Sequence, residues 1–286
     1  MAPVMGAGTD YVPSAEPDRP RRRGWVIAVV ALWIVVVAGL AFWSVGHERA
    51  TVPEQRDINQ AVPDVQRAAG VVFAASGGPG RAVTLGELTI STNCRVTPVR
   101  AGVAATRDIS LQVRAGEARA ALEAIATALP ANYRADVAVG RGGTRFSLHA
   151  DAGNFVAIDS DSDAGARDLT VRVSSGCRPH GPQAPPSGDP SPIPSPPPVL
   201  DAVLRALNSS GKPDVRTITC PDGGTAGTYV VEDIPAPADL PGRLRFLGVT
   251  DVVRDDDDVR AYRTGTDSVV VTPEENRLRV AVSTAC

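Results

Sequence analysis

Few side chains in this sequence combine the type and spacing that chemistry requires. The stretch TRFSLHADAG sets Ser147, His149 and Asp151 at alternate positions. Alternate residues of a β-strand share a face, so a nucleophile, a base and a carboxylate line one side, with Phe146, Leu148 and Ala150 on the other. Same-face neighbours stand about 6.5–7 Å apart along a strand, whereas hydrolase triads gather their members from separated segments. The stretch therefore reads as the wet side of a strand, and no catalytic residue is assigned. The other histidines, His47 and His180, fall in segments that build no rigid site. G-x-S-x-G, H-E-x-x-H and G-x-x-x-x-G-K-[ST] patterns are absent.

Carboxylates cluster twice. In IDSDSDAGARD, Asp159, Asp161 and Asp163 match positions 1, 3 and 5 of a calcium loop, but Ala164 and Thr170 stand where that loop needs glycine and glutamate. The flanks NFVAI and DLTVRV read as strands, so the expectation is a polar turn with no metal ligand assigned, a looser carboxylate site being the alternative. The run Asp255 to Asp258 reads as a solvated turn, and Gly140 to Gly143 as a hairpin turn rather than a phosphate loop. No cofactor is expected.

What must position these residues lies partly outside a membrane. The run Trp25 to Val45 carries no charge and spans about 31 Å as a helix, which matches a bilayer core. Arg21, Arg22 and Arg23 precede it, and Trp25 and Trp43 sit near its ends, as interfacial residues do. The expectation is a single-pass helix contacting the bilayer through residues 25–45, with residues 1–24 as a disordered cytoplasmic tail and the rest outside the cell. A cleaved signal peptide and a buried core helix are the alternatives; the first is disfavoured because its apolar region runs only about 7–15 residues. Lys212 is the only lysine beside many arginines, a bias of GC-rich bacterial genomes, and a net charge of −3 gives no case for nucleic acid.

All four cysteines, Cys94, Cys177, Cys220 and Cys286, follow the apolar run, on the side where disulfides persist. LTVRVSSGC ends on Cys177 and LRVAVSTAC on Cys286, with five of nine positions identical. Between them, residues 179–198 hold ten prolines and read as an extended linker. Each side of that linker gives the same order: a helix, two strands, a second helix, then three or four alternating strands. In the first copy the helices are residues 63–76 and 117–130; in the second they are 199–211 and 237–248, the last weakened by Pro241 and Gly242.

The expected fold is α+β: two tandem, duplicated two-layer domains, antiparallel sheet with two helices, residues 63–178 and 199–286. A juxtamembrane stalk at 46–62 precedes them. The repeat selects Cys94–Cys177 and Cys220–Cys286 as structural disulfides. The functional expectation is a membrane-anchored, extracytoplasmic, non-enzymatic binding or scaffold protein of the bacterial envelope, recognising an envelope protein, wall polymer or ligand. A metal-dependent sensor or adhesin, and an extracytoplasmic hydrolase, are the alternatives.

Overall fold

The computed structural model describes residues 21–47, 56–181, 188–189, 194–244 and 249–286. The chain divides into two compact units, Met1–Thr51 and Val52–Cys286. The first contains α1 (Arg21–His47). Within it Gly24–Trp43 is long and apolar enough to cross a membrane, and none of it is buried, which fits a membrane span or a signal sequence. Trp25 and Trp43 are both exposed. The tail 1–20, residues 48–55 of the stalk and the side chains of Arg21, Arg22 and Arg23 lie outside the described residues.

The second unit opens with α2 (Ile58–Ser76), β1 (Arg81–Thr97), β2 (Arg100–Val113) and α3 (Ala118–Ala128). Then come β3 (Asp136–Val139), β4 (Arg145–Asp151), β5 (Ala157–Asp163) and β6 (Asp168–Ser174). After the proline-rich segment follow α4 (Pro198–Ala206), β7 (Asp214–Thr219), β8 (Thr225–Pro235) and α5 (Leu240–Leu244). The chain closes with β9 (Asp251–Asp255), β10 (Arg260–Thr264), β11 (Asp267–Glu274) and β12 (Arg277–Ser283). These strands make two six-stranded antiparallel sheets, ordered β1-β2-β6-β5-β4-β3 and β7-β8-β12-β11-β10-β9. Counted from its own first strand, each sheet has the same order. Each also carries one disulfide, Cys94–Cys177 in the first and Cys220–Cys286 in the second.

Several boundaries differ from the expectation for physical reasons. Helix α2 starts at Ile58, inside the expected stalk, because its apolar stripe continues upstream through buried Ile58, Ala61 and Val62. The Asp57 carboxylate caps it, accepting the Asn59 amide at 2.8 Å. Pro63 is carried inside the helix rather than opening it. Helix α4 stops at Ala206, well before Gly211, since Asn208 takes the left-handed conformation that ends helices. Helix α5 is only five residues long and holds Pro241 and Gly242; residues 245–248 of the expected helix lie outside the described residues.

The proline-rich segment does not hold the two sheets apart. The start of β1 lies on the second sheet, where Ala82 packs with Val253, Ala261 and Val270, and the Leu85 amide donates to Thr228 Oγ1 at 2.9 Å. Helix α2 meets β7 at Gly70, where a Cβ would stand 2.0 Å from the Thr219 carbonyl oxygen. Ile218 and Cys220 accordingly belong to the first sheet's core. Burial on both faces explains why β11 and β12 carry the near-continuous apolar runs SVVV and VAV.

One carboxylate of the linker is built into this junction. Arg107 of β2 is fully buried and grips Asp189 with two hydrogen bonds, 2.7 and 3.1 Å. It also donates to Gln66 Oε1 and to the Gly86 carbonyl, while Asp189 accepts the Thr217 amide of β7 at 2.7 Å. Most of residues 182–193 lie outside the described residues, but Asp189 ties β2, the linker and β7 together.

Candidate functional site

The strand face that looks like a triad is a set of separate pairs. Ser147 Oγ donates to Asp161 at 2.5 Å, and His149 Nδ1 lies 2.8 Å from Asp159 Oδ1. Asp151 instead accepts the Gly153 amide and faces Arg134. Serine and histidine thus engage different carboxylates of β5, and the base does not address the nucleophile. Register explains it: Ser147 opposes Asp161 and His149 opposes Asp159.

The same register builds a charged row across five strands. Asp136 opposes His149, Asp159 opposes Arg172, and Arg172 opposes Asp108. Arg172 grips Asp108 with two bonds of 2.9 Å, which hold its guanidinium above its ordinary pKa. Pairs this exposed contribute roughly 0–1 kcal/mol each. They make a soluble outer face.

The acidic stretches also depart from the turns expected of them. Strand β5 runs through Asp163, so Asp159, Asp161 and Asp163 point outward in line, alternating with buried Ile158, Ser160 and Ser162. They do not converge on a common point. Among the described residues, no group of three His, Cys, Asp or Glu is arranged to hold a metal. In the run 255–258, Asp255 pairs with Arg260. Asp256 accepts from Arg254 at 2.7 Å and from Arg167 of the first sheet at 2.6 Å. The Arg254 hydrogen bond holds the Asp256 carboxyl below its ordinary range. What reads as a solvated turn is in part a clasp between the sheets.

The feature with the geometry of a ligand site is a cleft of about 240 Å³ beside α5. Its apolar walls are Pro241, Leu244, Val249 and Val252, and Tyr262 of β10 also lines it. Tyr262 is 5% exposed, and its buried hydroxyl has no hydrogen-bond partner among the described residues. An unsatisfied buried hydroxyl costs roughly 1–3 kcal/mol, so its presence calls for an explanation. Burial pushes the phenol far above its ordinary pKa, leaving a neutral group that can donate. Arg260 at the rim is already paired with Asp255, and Arg254 with Asp168 and Asp256. The site therefore suits a small neutral molecule, mostly apolar with one hydrogen-bonding group. In size it falls between a cavity that holds benzene, about 150 Å³, and ordinary ligand pockets, about 300–1,000 Å³.

At the corresponding helix the first sheet has a smaller and more polar cleft of about 170 Å³, lined by Arg81, Arg114 and Glu117 with alanines of α3. There α3 runs for eleven residues, and Leu122, Ile125, Leu129 and Tyr133 cover Phe146 and Leu148, all buried. Sequence reading missed Tyr262 because VRAYRT contains no recognisable motif. The usable signal was an aromatic on a strand beside a helix broken by proline and glycine.

No family model and no curated protein matches the chain. Among solved structures, a DUF4853 family protein from Actinomyces odontolyticus is similar at 15% identity. The match covers 62% of this chain and 95% of that one, with a TM-score of 0.32, too slight to carry an argument.

Proposed function

We propose that this chain is a single-pass, membrane-anchored binding protein of the bacterial envelope, with its N-terminus cytoplasmic and residues from Val52 onward outside the cell. The length and apolar composition of α1 and the two disulfides support that placement. The ectodomain is one α+β layout written twice, residues 63–178 and 199–286, a reading supported by the shared strand order and the matched disulfides. The first copy acts as the closed frame. The second takes the ligand, either a small neutral amphiphile or one apolar side chain of an envelope partner.

The observation that carries the binding role is an apolar-walled cleft lined by Tyr262, whose buried hydroxyl has no partner among the described residues. A thermal-shift screen of short neutral alcohols, esters and acyl amides tests it. The expected result is a set of hits that stabilise the protein and lose their effect in Tyr262→Phe. Hits that stabilise both proteins equally, or no hits, would count against the cleft. Protease cleavage of the C-terminal region in intact spheroplasts checks the orientation; protection there would contradict an outside location.

A further inference from the structure

The end of the module at which the chain enters carries a surface suited to lipid. Strands β1 and β2 continue past the body of the sheet as a hairpin arm. Its tip, Pro98–Val99, leaves Val99 94% exposed. From Leu88 to Thr106 the only charged residues are Arg95 and Arg100, both exposed on the arm, in a chain whose net charge is −3. The base of the arm is fixed: Val103 bridges Arg178, Cys94 is bonded to Cys177, and a Cβ on Gly102 would stand 2.6 Å from Cys177 Sγ.

That base adjoins the start of α2. The Ile58 amide donates to the Pro179 carbonyl at 3.0 Å, and the Asp57 carboxylate accepts the Gly181 amide. Helix α2 then runs away from this end, and β1 returns toward it. The turn between β4 and β5 is tied in as well, since Arg178 donates to the Asn154 and Phe155 carbonyls at 2.7 and 3.0 Å. Phe155 there is 51% exposed. Outside α1, the large apolar side chains left exposed among the described residues are Val99, Val139, Phe155 and Val252, and two of these four belong to this end.

We propose that the arm, through Val99, Arg95 and Arg100, with Phe155 beside it, rests on the anionic surface of the bilayer that α1 crosses. This rests on the anchoring reading above. Only ten residues, 48–57, separate α1 from α2, a tether that reaches at most about 35 Å. Apolar tips enter the headgroup boundary while flanking arginines meet anionic lipid.

The test is lipid photocrosslinking of the full-length protein in nanodiscs containing a diazirine-bearing phosphatidylglycerol. Mass spectrometry then locates the adducts. The expected result is adducts on α1 and on the Arg95–Arg100 peptide. Arm adducts should fall at least about fivefold in a variant carrying Arg95→Ser and Arg100→Ser, while α1 adducts and both disulfides persist. Adducts on α1 with a bare arm would overturn the proposal and leave the anchor standing. A protein that takes up no lipid anywhere would overturn both.

Discussion

The two sheets share a strand order, yet they finish differently. Over β4, eleven residues of α3 close the first sheet with a continuous apolar layer. Beside β10, five residues of α5 leave a cleft and an unsatisfied phenol. Helix α5 is described over Leu240–Leu244 and holds Pro241 and Gly242 within it, where α3 carries good helix formers. One layout thus gives a sheet covered by a long apolar layer under α3 and a larger, apolar-walled concavity beside α5. The second sheet tolerates this because it leans on the first through Ala82, Gly70 and the Arg107–Asp189 clamp.

That dependence is open to disruption in order of decreasing effect. Removing Cys220–Cys286 by paired Cys→Ser changes should cost about 4 kcal/mol on the chain-entropy model. In denaturant titrations the loss should reach the whole Val52–Cys286 unit, because the second sheet is joined to the first. Independent melting of the two sheets would show the junction to be weak. Truncating Arg107 to Ala leaves Asp189 without its buried partner and should cost about 3–5 kcal/mol, again in a single transition.

The contrast between the two helices gives a sharper comparison. Leu122→Ala empties a packed layer and should lower stability by about 2–5 kcal/mol. Leu244→Ala enlarges an existing cleft and should cost less than half as much in the same urea titration. Tyr262→Phe should act in the opposite sense, raising stability by about 1–2 kcal/mol by removing an unsatisfied hydroxyl. A destabilised Tyr262→Phe would mean that the hydroxyl already has a partner in solution.

The smallest effect concerns acid. The Asp256 carboxyl is held low in the folded protein by Arg254. Its contribution is therefore present above the ordinary carboxylate pKa of about 4 and is lost as pH falls through the folded value. Asp256→Asn should flatten the acid limb of a melting-temperature profile and leave its slope near neutrality unchanged.

Much of this fold was legible because alternation and helical spacing report directly on burial. Most strands lie on segments whose pattern alternates or runs apolar, β5 with its AIDSDSD being an exception that reads as a polar turn, and the cysteine-ended repeats LTVRVSSGC and LRVAVSTAC marked the paired disulfides. Long-range packing was not legible. Nothing local distinguishes Asp256, a clasp across the sheets, from its solvated neighbour Asp257, and nothing marks Asp189 as a linker residue that meets a buried arginine. Gly70 could have been suspected, since Ala-Ala-Gly on an apolar helix permits close backbone approach. The runs SVVV and VAV were also a hint, because a strand apolar on both faces needs cover on both. The Tyr262 cleft is lined by side chains of α5, β9 and β10 that share no recognisable motif.

The most direct measurement is a methyl-resolved NMR titration of the full-length protein in nanodiscs with small neutral amphiphiles. The account predicts saturable shifts at Leu244, Val249 and Val252, silence at Leu122 and Ile125, and loss of the response in Tyr262→Phe. Equal responses in both halves, or none around Tyr262 with any compound, would contradict the assignment of one half as frame and the other as binding site.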